Sequence, residues 1–183
     1  MVNKVAKGRR IANKLQTLLR EAGFEVAKTE YRLKYHKIDL FSLFDFLIIK
    51  PRYVAFIQVT TNQPHNHQPF LQFTSTYKFE VYQFVWYDRK GWVVYNYVNG
   101  KYYKLDMRKK MLRFKISYKD FVELSEDKIF RKLYENKKLT TTSYRFVEGD
   151  VEFEVVASDE VLMEILQLPK RLREVLLSHQ EKE

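Results

Sequence analysis

Three polar side chains interrupt two apolar segments, and their types are those that bind metal ions or phosphate. Asp45 opens the segment DFLIIK, while Gln58 and Thr60 lie two residues apart in YVAFIQVT. Both segments have strand character, and residues 50–52 supply a turn between them. An acid at the start of one strand, with two polar residues on the next, supplies oxygen donors of the kind that hold Mg²⁺ in proteins. The spacing predicts a site at one end of a small sheet.

Two of these residues also fit a purely structural role. Asp45 precedes a buried strand, so its carboxylate could equally cap that strand by accepting hydrogen bonds from backbone amides. Gln58 lies between Ile57 and Val59 and needs a polar partner, for which a hydrogen bond to Asp45 is sufficient. Spacing alone leaves both alternatives open.

The surrounding pattern predicts the elements that must position these residues. Apolar residues recur at helical spacing from Lys4 to Ala22, and Gly23 provides the cap. Strands follow at 24–29, from residue 38 into the Asp45 segment, and at 54–60. A helix is expected at 70–79, then strands at 81–87, 92–97 and 101–105.

The character of the chain changes beyond residue 116. Ser117 and Ser125 have the spacing of helix starts, residues 142–156 indicate a hairpin, and helices follow that are broken at Pro169. We therefore predict a core at 1–116 and an α+β extension at 117–183. The extension could serve dimerisation or partner binding, or form the outer layer of one fold.

Charge favours a polyanionic partner. The 183 residues include 33 Lys and Arg against 23 Asp and Glu, a net charge of +10. Residues 1–37 hold ten basic residues and three Glu, whereas residues 146–183 hold four basic residues and ten acids. We predict DNA as the partner, bound by the basic N-terminal part. Solvation and ion pairing in a thermophilic protein is the alternative.

The absence of cysteine excludes disulfides, thiolate zinc sites and thiol chemistry. The basic N-terminus lacks the apolar run of a signal peptide, and no segment reaches the length of a membrane span. These features predict no membrane association and an intracellular, cytoplasmic location.

The opening KGRRIANKLQTLLREAGFEV, followed by Asp45, twelve residues and Gln58-x-Thr60, resembles the PD-(D/E)xK nucleases, most of all the archaeal Holliday junction resolvases. The resemblance covers roughly residues 4–87. It implies an α/β, restriction-endonuclease-like core of order α-β-β-β-α-β, with a mixed sheet flanked by helices. It also implies a homodimer.

The resemblance further implies metal-assisted phosphodiester hydrolysis with Mg²⁺ or Mn²⁺. Asp45 matches the aspartate of the family and Gln58 stands at its strand carboxylate, so these two would hold the metal. Thr60 replaces the family lysine, Asn13 stands in place of a helix glutamate, and Lys78 is the expected substitute for the missing amine. Asp45, Gln58, Thr60 and Lys78 form the predicted catalytic set. A solvated helix lysine is the alternative for Lys78.

The residues expected to contact DNA are Lys7, Arg9, Arg10, Lys14, His65 and His67. A second basic cluster spans 108–115, and Asp39 is a candidate extra carboxylate. The two histidines also fit ordinary loop positions.

We therefore expect a Mg²⁺-dependent nuclease acting on branched or processed DNA. The alternative is a catalytically degenerate protein of this fold that binds nucleic acid or a protein partner without cleavage. A third hypothesis is an interaction protein acting through residues 146–183.

Overall fold

The structure is a computed structural model that describes residues 4–29, 31–32, 37–38, 40–106, 111–147, 150–158, 165 and 168–178. The chain forms two compact units, Met1–Asp106 and Met107–Glu183. Each unit is considered by itself. No helix among the described residues is both long enough and apolar enough to cross a membrane.

The first unit contains two helices and eight strands in its described part. In chain order these are α1 (Lys4–Glu21), β1 (Glu25–Lys28), β2 (Tyr31–Arg32), β3 (Lys37–Ile38), β4 (Phe46–Lys50), β5 (Tyr53–Thr61), α2 (Gln68–Tyr77), β6 (Glu80–Tyr87), β7 (Gly91–Val98) and β8 (Lys101–Asp106).

Six of these strands form one mixed sheet in the order β1-β4-β5-β6-β7-β8. Strands β5 and β6 are parallel and are joined by α2, while the other neighbours are antiparallel. A parallel pair needs such a crossover because its two strands run in the same direction. The predicted α/β class and the predicted order α-β-β-β-α-β are confirmed.

Helix α1 covers one face of the sheet. Ile11, Leu15 and Leu19 recur at helical spacing and are buried, and α1 contacts β1 and β5. The helix ends where Gly23 adopts a φ of +80°, which glycine tolerates without a steric cost. Lys50 of β4 donates from Nζ to the carbonyl oxygen of Ala22 at 2.8 Å, so the C-terminal end of α1 is held to the sheet.

Helix α2 covers the other face. Phe70 and Phe73 of α2 pack on an apolar cluster that includes Phe44, Phe56 and Val81. The rings of Phe56 and Phe73 lie 5.3 Å apart at their centroids. Since side chains alternate between faces along a strand, residues two positions from Phe56 also face α2.

The segment before Asp45 is a turn, and the predicted strand leading into it is wrong. Leu40 forms a bridge with Phe44, and Phe41 and Ser42 between them have positive φ angles of 53° and 57°. The reversal places Phe44 in the α2-side core with no exposed surface. Burial of that ring explains why the chain turns here instead of extending.

The second unit contains a separate three-stranded sheet of order β10-β11-β9. Its elements are β9 (Met111–Ser117), α3 (Tyr118–Glu126), α4 (Lys128–Glu135), β10 (Leu139–Val147), β11 (Asp150–Ser158) and α5 (Lys170–Ser178). The predicted hairpin is present as β10 and β11. Strand β9 pairs with β11, so residues 111–116 belong to this unit and not to the predicted core of 1–116.

One of the two predicted helix starts in this unit is correct. Ser117 caps α3 by accepting a hydrogen bond from the backbone N–H of Asp120 at 3.1 Å. Helix α4 is capped by Asp127 and not by Ser125, because the Asp127 carboxylate accepts from the backbone N–H groups of Ile129 and Phe130. Asp127 thereby satisfies two amide donors of the first turn.

Candidate functional site

A groove of about 690 Å³ opens on the α1 side of the sheet. One wall is α1, which contributes Arg9 and Asn13. The opposite wall is the start of β4 and the end of β5, which contribute Asp45 and Thr60. Four residues singled out from the sequence therefore line one cavity.

The wall formed by α1 carries two small residues. Gly8 and Ala12 both line the groove and lie four residues apart, on one face of the helix. A Cβ atom added at Gly8 would meet no heavy atom within 4 Å. The groove can therefore admit a ligand close to the helix backbone at this point.

Asp45 stands immediately before β4 and is hydrogen-bonded both to β5 and to the residue that follows β1. Its Oδ2 accepts a hydrogen bond from the backbone N–H of Val59 at 2.8 Å. Its own N–H donates to the carbonyl oxygen of Ile57 at 2.9 Å, and its carbonyl oxygen accepts from the N–H of Thr29 at 3.0 Å. The side chain is 6% exposed. Asp45 has the strand-cap contacts of the structural alternative.

Gln58 is not among the residues that line this groove. It follows Phe56 by two residues and lines a separate cavity of about 120 Å³ together with His65. The closest polar partner of its side chain is the carbonyl oxygen of Val59, 3.4 Å from Nε2. No hydrogen bond joins Gln58 to Asp45 within the described part of the chain. The two predicted metal ligands therefore line different cavities, although the β4–β5 register, continued by one residue from the pair Phe46 and Ile57, sets Asp45 opposite Gln58.

The residues lining the groove do not fit a Mg²⁺ or Mn²⁺ ion held by the predicted donors. Among the described residues, no three His, Asp or Glu side chains lie close enough to share a metal ion. The hydroxyl of Thr60 donates to the carbonyl oxygen of Gln63 at 3.1 Å. Magnesium sites in proteins commonly use one or two carboxylates with water and substrate phosphate, and here Asp45 already accepts a backbone hydrogen bond.

Other predicted participants lie elsewhere. Lys78 is exposed at the C-terminal end of α2, where its φ is 60° and its N–H donates to Thr74. It is not among the residues lining either cavity. Asp39 and residues 108–110 of the second basic cluster lie outside the described residues.

The predicted basic residues of α1 differ in their surroundings. Arg9 lines the groove, and Arg10 and Lys14 are exposed on the same helix without lining it. The ammonium group of Lys14 lies 4.3 Å from the ring centroid of Trp86. Lys7 is paired with Asp88 of the β6–β7 turn. The hydrogen bonds from Lys7 and then from Asn62 lower the pKa of the Asp88 carboxyl.

The two histidines occupy different environments. His67 stacks on Tyr102 with ring centroids 4.7 Å apart and hydrogen-bonds through Nδ1 to the hydroxyl of Tyr97. Burial lowers the pKa of His67 and raises that of Tyr97. His65 is exposed and lines the cavity that contains Gln58. Only His65 is readily accessible to a ligand.

Lys28 was missed from the sequence, although it lines the groove with Asp45. It ends β1 and pairs in register with Phe46, the residue after Asp45. The sequence predicted a strand at 24–29, which contains Lys28. Residue spacing does not give the strand register that brings Lys28 beside Asp45.

No protein-family model matches the chain, and no curated protein matches it in sequence. Among solved structures, the chain is similar to Hjc, a Holliday junction resolvase from the archaeal hyperthermophile Archaeoglobus fulgidus. The identity is 19%, the match covers 55% of this chain and 84% of that chain, and the TM-score is 0.37. A likeness this distant says nothing about activity.

Proposed function

We propose that this chain binds DNA in the groove between α1 and the β4–β5 edge, without assembling a metal-nuclease centre from the residues that line it. The observation that carries the proposal is that Arg9 and Lys28 line the same groove as Asp45. Two cations beside one hydrogen-bonded carboxylate favour phosphate over a divalent cation.

Charge and shape support the same ligand. Arg10 and Lys14 are exposed on α1 next to Arg9, and the sequence carries a net charge of +10. Phosphate contacts from these side chains would release counterions, so affinity falls steeply as salt increases. The open space at Gly8 gives a phosphodiester backbone room to approach the helix.

The competing function is cleavage by a Mg²⁺- or Mn²⁺-dependent centre at Asp45, as the sequence resemblance implies. Asp45 and Thr60 line the groove, which supports it. The positions of Gln58 and Lys78 oppose it, because neither lines this groove. Structure-selective binding to branched DNA and a homodimeric assembly remain predictions for either function.

The test is the affinity for fluorescent linear duplex, single-stranded and four-way-junction DNA, measured by anisotropy over a salt series. Replacing both Arg9 and Lys28 by Gln should weaken binding about tenfold or more and reduce the slope of log K against log salt by about 2. Arg52→Gln removes a charge from the exposed turn before β5, at the opposite end of that strand, and serves as the matched control.

The same DNAs incubated with Mg²⁺ or Mn²⁺ separate binding from cleavage. We expect binding without product. Metal-dependent product that Asp45→Asn abolishes would establish the nuclease instead. Absence of binding at low salt would reject both. Light scattering of the free and DNA-bound protein measures the oligomeric state.

A further inference from the structure

The cavity around Gln58 has the construction of a small-molecule pocket. It lies on the α2 face and has a volume of about 120 Å³. Leu43, Pro69 and Phe70 give it apolar walls, while Ser42, His65 and Gln58 contribute polar groups. Apolar walls with a few convergent polar groups are typical of ligand sites.

The amide of Gln58 is under-satisfied for its degree of burial. The residue is 6% exposed, yet within the described residues its side chain makes a single long contact, 3.4 Å from Nε2 to the Val59 carbonyl oxygen. Its register partner Gln83 on β6 is 0% exposed, and neither polar atom of that amide has a partner in the described part. Buried amides are normally hydrogen-bonded, and the amide of Gln58, with one long contact, has hydrogen-bonding capacity left for a ligand.

Size and chemistry select the class of ligand. An apolar cavity of about 150 Å³ holds one benzene molecule, so a cavity of about 120 Å³ can take in at most one six-membered ring and excludes a fused pair of rings. A glutamine amide presents a donor and an acceptor side by side, which matches the pairing edge of a nucleobase. The apolar walls would contact the faces of the ring, as in pockets that receive an unstacked base.

We propose that this cavity receives a single unpaired pyrimidine base from DNA held in the groove, an inference that rests on the proposed function. Gln58 directly precedes Val59 and Thr60, which line the groove, and Leu43 shortly precedes Asp45. Groove and cavity therefore lie at the same end of β5. A base that is already unpaired costs least to place there.

The test compares three duplexes of otherwise identical sequence at low salt: fully paired, with one bulged thymine, and with one bulged abasic site. The wild-type protein should bind the thymine bulge about tenfold more tightly than the abasic bulge, the effect expected of one hydrogen-bonded polar pair. Gln58→Leu and Gln58→Met should abolish that ratio while leaving the affinity for the paired duplex unchanged.

The arms distinguish failure of this proposal from failure of the proposed function. Equal affinity for the thymine and abasic bulges would overturn the base pocket and leave groove binding intact. Loss of binding to all three duplexes would reject groove binding itself. A folded Gln58 variant that retains the thymine preference would also overturn the pocket. The wild-type comparison does not depend on the folding of any variant, and Arg9→Gln should weaken binding to all three duplexes alike.

Discussion

The carboxylate of Asp45 and the backbone N–H of Val59 form a hydrogen bond of 2.8 Å that extends the β4–β5 pairing past the first residue of β4. The strand itself begins at Phe46, so a side chain takes over where backbone pairing stops. The residue that most strongly marks a nuclease in the sequence therefore has a structural task, whatever else it does.

We predict that Asp45→Ala destabilises the protein by about 2 kcal/mol, because a hydrogen bond to a charged acceptor is lost and the partly buried N–H of Val59 is left unpaired. Asp45→Asn keeps an acceptor oxygen and should cost less. Urea unfolding measures both. Glu21→Ala, which removes an exposed carboxylate at the end of α1, is the control. Unchanged stability of Asp45→Ala would contradict the strand-cap role.

Gly8→Ala should separate stability from binding. Alanine in the interior of α1 should raise the free energy of unfolding by about 0.5–1 kcal/mol, and the new methyl group meets no neighbour. The same methyl group projects into open space beside the groove and should weaken DNA binding. Thermal unfolding and anisotropy measure the two effects.

Thr17→Ala, an exposed position on α1, improves helix propensity without altering the groove. Equal DNA affinity of Gly8→Ala and Thr17→Ala would contradict a ligand path over Gly8.

His67 should make stability depend on pH. Burial lowers its pKa in the folded state below the ordinary value of 6.5, so the unfolded chain binds the proton first as pH falls. Its contribution is fully present above about pH 6.5 and is lost as pH falls through the folded pKa. Urea unfolding from pH 5 to 8 should show a positive slope that His67→Gln reduces. His65→Gln makes the same change at an exposed position and should not reduce it.

The Lys7–Asp88 pair should limit the affinity for DNA. Asp88→Asn removes the carboxylate that holds Lys7, so Lys7 becomes available for phosphate. We expect tighter binding and a salt slope steeper by about 1. Adding Lys7→Gln to Asp88→Asn should cancel the gain. A gain that survives in the double variant would mean that removal of negative charge alone is responsible.

The sequence predicts the elements of the first unit well, because Ile11, Leu15 and Leu19 mark a helix by periodicity and the strands alternate clearly. The site is predicted only in part. The prediction that Asp45 and Gln58 act together rested on their separation along the chain. The two side chains instead line different cavities, and that of Gln58 is formed with Pro69 and Phe70 at the start of α2.

Contacts between distant segments explain two other features that the sequence did not predict. The turn before Asp45 exists because Phe44 is buried in the core, and Lys28 joins the groove because β1 pairs with β4. Neither contact has a signal within its own segment. Ser125 and Asp127 both fit the local pattern of a helix cap. Asp127 is the cap because its carboxylate accepts hydrogen bonds from two backbone amides.

Helix α1 is held near both ends, by Lys50 at Ala22 and by Asp88 at Lys7. A wall fixed in this way needs little rearrangement when a ligand arrives, so little ordering entropy is lost on association. The rate of association should then be set by diffusion and by the attraction between basic protein and polyanion. Differences in affinity among ligands should appear mainly in how long each stays bound.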